Sequence, residues 1–444
     1  GKLGTLLLDP LDLFVDAQGG LNPAIVNEST DFPRNAATVS PATLASVVGN
    51  VTLLASRYLR ISSPIALPTA GQSLAATVET YTAPASPDPL SLSTGTIFNE
   101  LEIGANITTN GGAVSLTAPT IQGVAASTIA TAGGAINLST TGTGSIQASL
   151  VALNAGSGAI TATPGGSLQL GAVTGGSFSA TAPSSISIAG AITTSGGAVS
   201  LTSSGSSVST SSGIVAGGGA VSLSGSSVSG GIIDTTGAVT LNGAFGVSAT
   251  VNNSSSLTAT SGSSVSINST TDLNVANVTA GTSSSAQLST STGSIRGTGA
   301  TPLVKGFDVS LLTTAGTGGG IGTAASALNV DVQRNFTFRP NGDFNILLTG
   351  SGPNQLNAQF TPASTGTYSG TLAKQGGGLT LNASADTTTV TLSSVNITSG
   401  FDQPVSFSNP SIQIQTTNSA NLVASAVTVP TGDTQPTVSG VHNE

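Results

Sequence analysis

Several residue types that often carry protein chemistry are missing from this chain or nearly so. Its 444 residues include no cysteine, no methionine, no tryptophan and a single histidine. Without cysteine there are no disulfides, no thiolate metal sites and no cysteine nucleophile. The one histidine, His442, is the third residue from the end of the sequence. A Ser-His-Asp triad would need it held rigidly in a cleft, which a chain end does not provide.

Charge is equally scarce, since only 6% of the residues are charged and the net charge is −9. Nucleic acid binding needs clustered Lys and Arg to displace counterions, and the nine basic residues form no such cluster. A polybasic membrane anchor is excluded for the same reason. No apolar run reaches about 18 residues, so no transmembrane segment is predicted. We therefore expect neither nucleic acid nor a membrane-spanning helix.

What the chain does have is a repeated phrase that begins with glycines. The copies read GGAVSL at Gly111, Gly196 and Gly218, GGAINL at Gly133 and GAVTL at Gly237. The step from Ala113 to Ala135 is 22 residues, as is that from Ala198 to Ala220. Weaker copies, GAITA and GGSFSA, fill the gap between these pairs. A period near 20 residues is typical of a solenoid, in which each repeat buries its apolar face against its neighbours.

Each phrase predicts a short β-strand that follows a tight corner. Apolar residues alternate with serine, so Val114 and Leu116 point one way and Ser115 the other. The glycines permit positive φ at the corner. No window has helical apolar spacing, and Gly, Ser, Thr and Val disfavour helix. The fold class is therefore all-β, a parallel β-helix (β-solenoid) with an irregular N-terminal segment and a β-rich C-terminal region.

The chain divides into four segments by composition. Residues 1–100 are irregular, with a short helix near 41–48 that is capped by Ser40 and carries Leu44, Val47 and Val48 on one face. Residues 101–300 form the regular repeats. Residues 301–378 are irregular and contain a predicted β-hairpin with its turn at Pro340–Gly342. Residues 379–444 alternate again and end in a polar tail.

Three stretches, taken in order, resemble filamentous haemagglutinin-like exoproteins of the two-partner secretion class. They are GTLLLDPLDLFVD, SPATLASVVGNVTLLASRYLRISSPI and ANITTNGGAVSLTAPTIQ, and they cover roughly residues 1–120. The resemblance implies right-handed β-helix coils and bacterial surface or extracellular fibres that adhere or assemble without catalysis. It also implies that this chain is a mature fragment that lacks the secretion domain. We therefore expect an extracellular or cell-surface location and processing from a longer secreted precursor.

Catalytic and metal sites are disfavoured by the sequence. Asp9, Asp12 and Asp16 have no calcium-loop spacing and are interpreted as solvated or capping carboxylates. The repeats lack paired acids, so an acid/base pair would have to come from the ends, for example Asp331 and Asp343 with Arg334. A salt-bridged hairpin is the stronger interpretation there. The glycine run at 316–322 is interpreted as a corner because no Lys and no helix follow it. We predict no catalytic residues, no metal and no cofactor.

Charge and aromatics concentrate toward the two ends of the chain. They are either caps on a monomeric rod or joints between copies, since a head-to-tail contact that does not close makes a filament. The candidate contact residues are Leu7, Phe14, Arg57, Tyr58, Arg60, Arg334, Phe336, Phe338 and Arg339.

The predicted function is a non-enzymatic, extracellular structural protein whose copies assemble head-to-tail into surface or matrix filaments that support adhesion and biofilm. Host or environmental glycans are a further predicted partner. The alternative is a monomeric adhesin or a carbohydrate-binding or carbohydrate-active β-helix protein. That alternative requires a cleft with stacked aromatics or paired carboxylates, and the repeats contain only Phe178 and Phe245 as aromatics.

Overall fold

The computed structural model describes residues 5–8, 11–17, 36–80, 99–314, 318–323 and 325–349, and beyond these only the backbone of several strands. The chain forms two compact units, Gly1–Gly225 and Ser226–Glu444. Each unit is a parallel β-solenoid, which confirms the predicted all-β fold class. The right-handed winding and the four segments stay predictions. Three sequence features, the loop before residue 36, the polar tail and His442, lie outside the described residues.

The first unit contains one short helix and a long series of strands. The first elements are β1 Thr5–Leu8, β2 Asp12–Val15, β3 Ala36–Val39, α1 Pro41–Ala45, β4 Asn50–Ala55, β5 Tyr58–Ile61, β6 Ile65–Leu67, β7 Leu74–Val78 and β8 Glu100–Ile103. Next come β9 Ile107–Thr109, β10 Val114–Ala118, β11 Thr120–Gly123, β12 Ser127–Ala130, β13 Ile136–Thr140, β14 Ile146–Ala148, β15 Val151–Asn154 and β16 Ala159–Thr163. The series continues with β17 Leu168–Leu170, β18 Val173–Gly175, β19 Ser177–Ala182, β20 Ile186–Ile188, β21 Ile192–Thr194, β22 Val199–Ser203, β23 Val208–Thr210 and β24 Ile214–Gly217.

Three parallel sheets form the walls of the first unit, and each coil contributes one strand to each wall. Sheet A runs β1-β4-β7-β10-β13-β16-β19-β22. Sheet B runs β3-β2-β5-β8-β11-β14-β17-β20-β23. Sheet C runs β6-β9-β12-β15-β18-β21-β24.

Inward side chains stack into columns that form the core of this unit. One column of sheet A contains Val114, Ile136, Ile160, Phe178 and Val199, each paired in register with the next. All five are buried, with exposed fractions of 0–1%. The coil lengths read from these partners are 22, 24, 18 and 21 residues, which confirms the predicted period and the two weaker copies. Burial of each such side chain contributes about 1.5–3 kcal/mol.

The second glycine of the repeated phrase brings successive coils into close backbone contact. A Cβ atom built on Gly134 would lie 2.2 Å from the carbonyl oxygen of Gly112, and one on Gly158 would lie 2.2 Å from that of Gly134. The first glycine has a different role, since Gly133 has a φ of +113°, which L side chains rarely adopt. We call this stack the glycine column, and its members are Gly112, Gly134, Gly158, Gly176, Gly197 and Gly219.

A buried threonine closes several of these corners. The hydroxyl of Thr194 donates to the carbonyl of Gly197 at 2.7 Å, three residues later. Thr109 and Thr131 make the same bond to Gly112 and Gly134. The hydroxyl satisfies a carbonyl that would otherwise be buried without a partner. The sequence signal is the pattern Thr-x-Gly-Gly, which comes directly before the alternating strand.

The helix forms as predicted but is shorter. The side chain of Ser40 accepts a hydrogen bond from the amide of Thr43, Pro41 stands at the first helical position, and Leu44 is fully buried. The helix ends at Ala45, so the prediction that Val48 shares the buried face was wrong, and its side chain is 70% exposed. One apolar anchor is enough for a single turn of helix.

The second unit is built mostly from longer strands. They are β25 Val221–Thr235, which begins in the first unit, β26 Ala238–Asn252, β27 Ser256–Ser261, β28 Val265–Ser269, β29 Leu273–Thr279, β30 Ser285–Thr290, β31 Ile295–Gly297, β32 Leu303–Thr313, β33 Leu328–Arg339 and β34 Phe344–Leu348. Strands described by backbone alone follow: β35 Gln355–Phe360, β36 Gly366–Lys374, β37 Gly378–Ala383, β38 Thr389–Ser399, β39 Gln413–Ile414, β40 Asn421–Ala424 and β41 Val427–Thr428.

The predicted hairpin at Pro340–Gly342 is wrong, because β33 and β34 pair in parallel. Leu328 is the register partner of Ile346, so the chain winds through one more coil between them. The amide of Asn341 donates to the carbonyl of Gly319 at 2.9 Å, which ties this corner to the preceding coil. A Pro-Asn-Gly sequence suits a hairpin turn and a solenoid corner equally, and only the register distinguishes them.

The glycine column predicts a position-specific sensitivity to a single methyl group. Gly134→Ala should lower the free energy of unfolding by about 1–3 kcal/mol or more, because the backbone below must move. Gly246→Ala is the matched control, since its Cβ would find no atom closer than 4.0 Å. Urea denaturation followed by circular dichroism measures both. Equal effects of the two substitutions would contradict the close approach of the coils.

Candidate functional site

Charged and aromatic side chains gather on the outer face of sheet B in the first unit. We call this group the N-terminal cluster, and its members are Asp12, Phe14, Arg57, Tyr58, Arg60, Glu100 and Glu102. The cluster forms because β2, β5 and β8 are successive strands of one sheet. Asp12, Tyr58 and Glu100 are register partners, and so are Phe14, Arg60 and Glu102. Residues far apart in sequence thus become direct neighbours on the surface.

Ion pairs and ring contacts run across the strands of this cluster. The Nε of Arg57 donates to Oδ1 of Asp12 at 2.9 Å. The Nε of Arg60 lies 3.4 Å from Oε2 of Glu102. The rings of Phe14 and Tyr58 meet edge to face, with 5.7 Å between their centroids. Both guanidinium groups are therefore paired with carboxylates of the same molecule.

The two glutamates interact with each other and with the tyrosine. Partial burial, then a hydrogen bond to Glu102 and the negative charge of Glu102, together raise the pKa of Glu100 from its ordinary 4.5 to about 7. Burial, together with a hydrogen bond to Glu102, also raises the pKa of Tyr58. Near neutral pH the Glu100 carboxyl is thus in the range where it exchanges its proton.

The sequence did not single out this carboxyl pair as a candidate site, and its geometry does not match glycoside hydrolysis. The two carboxyl groups are hydrogen-bonded to each other. Glycosidases hold theirs about 5–5.5 Å apart, or about 6.5–9.5 Å apart when a water must fit between them. The signal that was available was the sequence Glu-Leu-Glu, which places both side chains on one face of a strand.

The predicted docking residues Arg57, Tyr58 and Arg60 lie on or beside β5, the third strand of sheet B. Strand β5 is paired on one side with β2 and on the other with β8. The side chain of Leu7, on β1, is 52% exposed. Whether any of these residues contacts another molecule stays a prediction.

The aspartates predicted to be solvated or capping make local contacts. Asp12 is paired with Arg57, and Asp16 accepts a hydrogen bond from the hydroxyl of Ser62 at 3.0 Å. Asp9 lies outside the described residues. Among the residues that the structure describes, no group of three or more His, Cys, Asp or Glu side chains is placed to hold a metal.

A second cluster of charged residues lies on the neighbouring strands β32 and β33 of the second unit. Arg334 forms a two-pronged ion pair with Asp308, with Nε to Oδ1 at 2.9 Å, and its guanidinium lies 4.7 Å from the ring centre of Phe307. Asn335 also donates to Asp308 from its backbone and its side chain. The hydrogen bond from Arg334 lowers the pKa of Asp308.

The acid/base group proposed from the sequence is not assembled. Asp331 pairs with Lys305 at 2.6 Å, whereas Arg334 pairs with Asp308 on the neighbouring strand. Two predicted contact residues, Phe336 and Phe338, are each only 1% exposed, so they are core residues and cannot be surface contacts. Their rings stack with 5.2 Å between centroids. Arg339 is half-buried beside them.

A shallow pocket of about 440 Å³ lies at the glycine corner of the second unit. It is lined by Ser294, Arg296, Gly318, Gly320, Gly322, Thr323, Gly342 and Asp343. The corner is not a phosphate loop, because its amides are already bonded to neighbouring coils. The amide of Gly320 donates to the Ser294 hydroxyl at 3.1 Å, and that of Gly322 to the Ile295 carbonyl at 2.8 Å. Arg296 is paired with Asp272 at 3.0 Å.

Comparison with known proteins adds no relative: no protein-family model, no curated protein and no solved structure matches the chain. Within the described ranges, none of the helices is long and apolar enough to cross a membrane.

The raised pKa of Glu100 predicts a pH dependence of stability. The folded state holds its proton up to about pH 7, whereas the unfolded chain releases it near 4.5. Stability is therefore fully present below pH 4.5 and declines as the pH rises to 7. Glu100→Gln should flatten this slope in melting temperatures measured from pH 4.5 to 7.5. Glu79→Gln, outside the cluster, is the control, and an unchanged slope in Glu100→Gln would contradict the assignment.

Two residues that the sequence analysis grouped as contact residues, Arg334 and Phe336, should differ strongly in how much they contribute to stability. Arg334→Ala removes a largely exposed ion pair that solvent screens, so it should change the free energy of unfolding little. Phe336→Ala leaves a cavity in the core and should cost about 3–5 kcal/mol. Chemical denaturation of the two variants compares them directly. A larger loss for Arg334→Ala would place the stabilising contact on the surface instead.

Proposed function

We propose that this protein is a non-enzymatic, extracellular β-solenoid that associates with copies of itself into surface or matrix filaments and supports adhesion. The observation that carries the proposal is the near absence of charge on the walls of the coils. Between Glu102 and Arg296 the only charged residues are Asp234 and Asp272. Neighbouring walls of this kind repel each other little, so copies can lie side by side or end to end.

The outer face of sheet A illustrates such a wall. One of its outward columns contains small polar residues in register: Ser115, Asn137, Thr161, Ser179 and Ser200. Asn137 donates to Ser115 on the neighbouring coil at 3.4 Å, and Thr117 bonds with Ser139 at 2.9 Å in the adjacent column. A wall of this kind supports a structural role better than a catalytic one.

The first strands of the unit support self-association. In the described part of the chain, β1 pairs only with β4, and β3 only with β2. A strand with an unpaired edge is a template for strand addition by another molecule. The resemblance of residues 1–120 to filamentous haemagglutinin-like exoproteins supports the same function, the bacterial surface location and processing from a longer precursor.

Negative-stain electron microscopy over a wide range of protein concentrations tests the proposal. We expect filaments with one fixed axial repeat, in growing number as concentration rises. Single particles of constant size at every concentration, with a matching constant mass in analytical ultracentrifugation, would overturn self-association. They would favour the alternative, a monomeric adhesin or carbohydrate-binding protein.

A further inference from the structure

Three glutamines form a column on the outer face of sheet B. Gln122, Gln147 and Gln169 lie on β11, β14 and β17 and are register partners of one another. The column continues through Glu102 and Arg60 to Phe14, into the N-terminal cluster. At the spacing of about 4.8 Å between parallel strands, the six residues cover about 24 Å.

The three amides differ from the polar groups of sheet A in what they contact. On sheet A two pairs of polar side chains on neighbouring coils are bonded, Asn137 to Ser115 at 3.4 Å and Thr117 with Ser139 at 2.9 Å. None of the three glutamine amides hydrogen-bonds to another group in the part of the chain that the structure describes. Gln147 and Gln169 are exposed and Gln122 is half-buried. These donors and acceptors therefore face outward and stay available to a ligand.

We call this column, together with the neighbouring Tyr58, the polysaccharide strip. We propose that it binds an extended, neutral polysaccharide, which is the adhesive ligand in the proposed function. A side-chain amide both donates and accepts hydrogen bonds, which suits the hydroxyl groups of a sugar. The adjacent edge-to-face pair of Phe14 and Tyr58 offers ring surface to the apolar face of a sugar ring. The aromatic and amide parts of the strip thus match two different features of one sugar chain.

The charge of the strip favours a neutral partner over an anionic one. Arg57 and Arg60 are each paired with a carboxylate of the same face. With Glu100 included, carboxyl groups outnumber guanidinium groups in the N-terminal cluster. No unpaired cation along the column is therefore placed to attract nucleic acid or an acidic polysaccharide.

Because the three amides lie on successive coils, several weak hydrogen bonds to one polymer can add up to a measurable affinity. A single amide exchanges a bond to water for a bond to sugar and gains little. A linear polymer that engages successive coils makes each further contact from a high effective concentration, so the gains multiply. Loss of all three amides should therefore weaken binding far more than loss of one.

Affinity electrophoresis in native gels tests the proposal. The probes are hydroxyethylcellulose, galactomannan, dextran and arabinan, with alginate as the anionic polymer. We expect the full chain to be retarded by at least one neutral polymer and not by alginate. The triple variant Gln122→Ala, Gln147→Ala, Gln169→Ala should bind that polymer at least about tenfold more weakly. The matched control Ser115→Ala, Asn137→Ala, Thr161→Ala changes three outward positions of sheet A and should bind like the wild type.

Retardation by none of the neutral polymers, or by alginate alone, would overturn the proposal. Equal retardation of the triple variant and the wild type would also overturn it, provided that melting curves show both folded. The result is independent of filament formation, because mobility shifts are read at concentrations where the chain migrates as one species. Retarded chains that never form filaments would contradict self-association alone, and filaments without retardation would contradict the polysaccharide strip alone.

Discussion

The close approach of backbone to backbone at the glycine column is the constraint on which the first unit depends. At Gly134 and Gly197 a Cβ would lie 2.0–2.2 Å from the carbonyl of the coil below, far inside contact distance. Only glycine lets the corners stack this tightly, and the stacking holds the coils in register although they differ in length. The hydroxyl of Thr194 and its counterparts secure the same corners from inside. The glycine column thus sets how closely successive coils approach each other, and with it the register of the side chains along each wall.

Because the strands pair in register, side chains of successive coils form columns that point either into the core or outward. Inward columns must contain apolar side chains of matching size, because each packs on the coils above and below. Outward columns meet no such requirement, so they vary from hydroxyls on sheet A to charged residues and glutamines on sheet B. The N-terminal cluster is a consequence of this freedom, since residues some 40 positions apart become neighbours without any change in the fold. The proposed polysaccharide strip lies on such a wall, because each further coil adds one more outward side chain to the same column.

The local patterns of the sequence predicted the repeats and the start of the helix, but not which coils become neighbours. The phrase GGAVSL predicted the strand, the corner and the period, and Ser40-Pro41 predicted the helix start, because these signals are local. The hairpin at Pro340–Gly342 and the exposed roles of Phe336 and Phe338 were wrong because they depend on which coil lies next. The glutamine column was missed for the same reason: Gln122 and Gln147 are 25 residues apart and Gln147 and Gln169 are 22 apart, so no fixed period links them.

Cross-linking in the cysteine-free chain tests the stacking of the coils most directly. A disulfide requires Cα atoms within about 7 Å, which the register partners Gln147 and Gln169 satisfy at about one strand spacing. Gln147 and Ser187 lie two coils apart, at about twice that distance. We predict that the variant with cysteines at 147 and 169 loses both thiols on mild oxidation without forming dimers. The variant with cysteines at 147 and 187 should keep both. Efficient intramolecular oxidation of the second variant, or none in the first, would contradict the register of β14, β17 and β20 in sheet B.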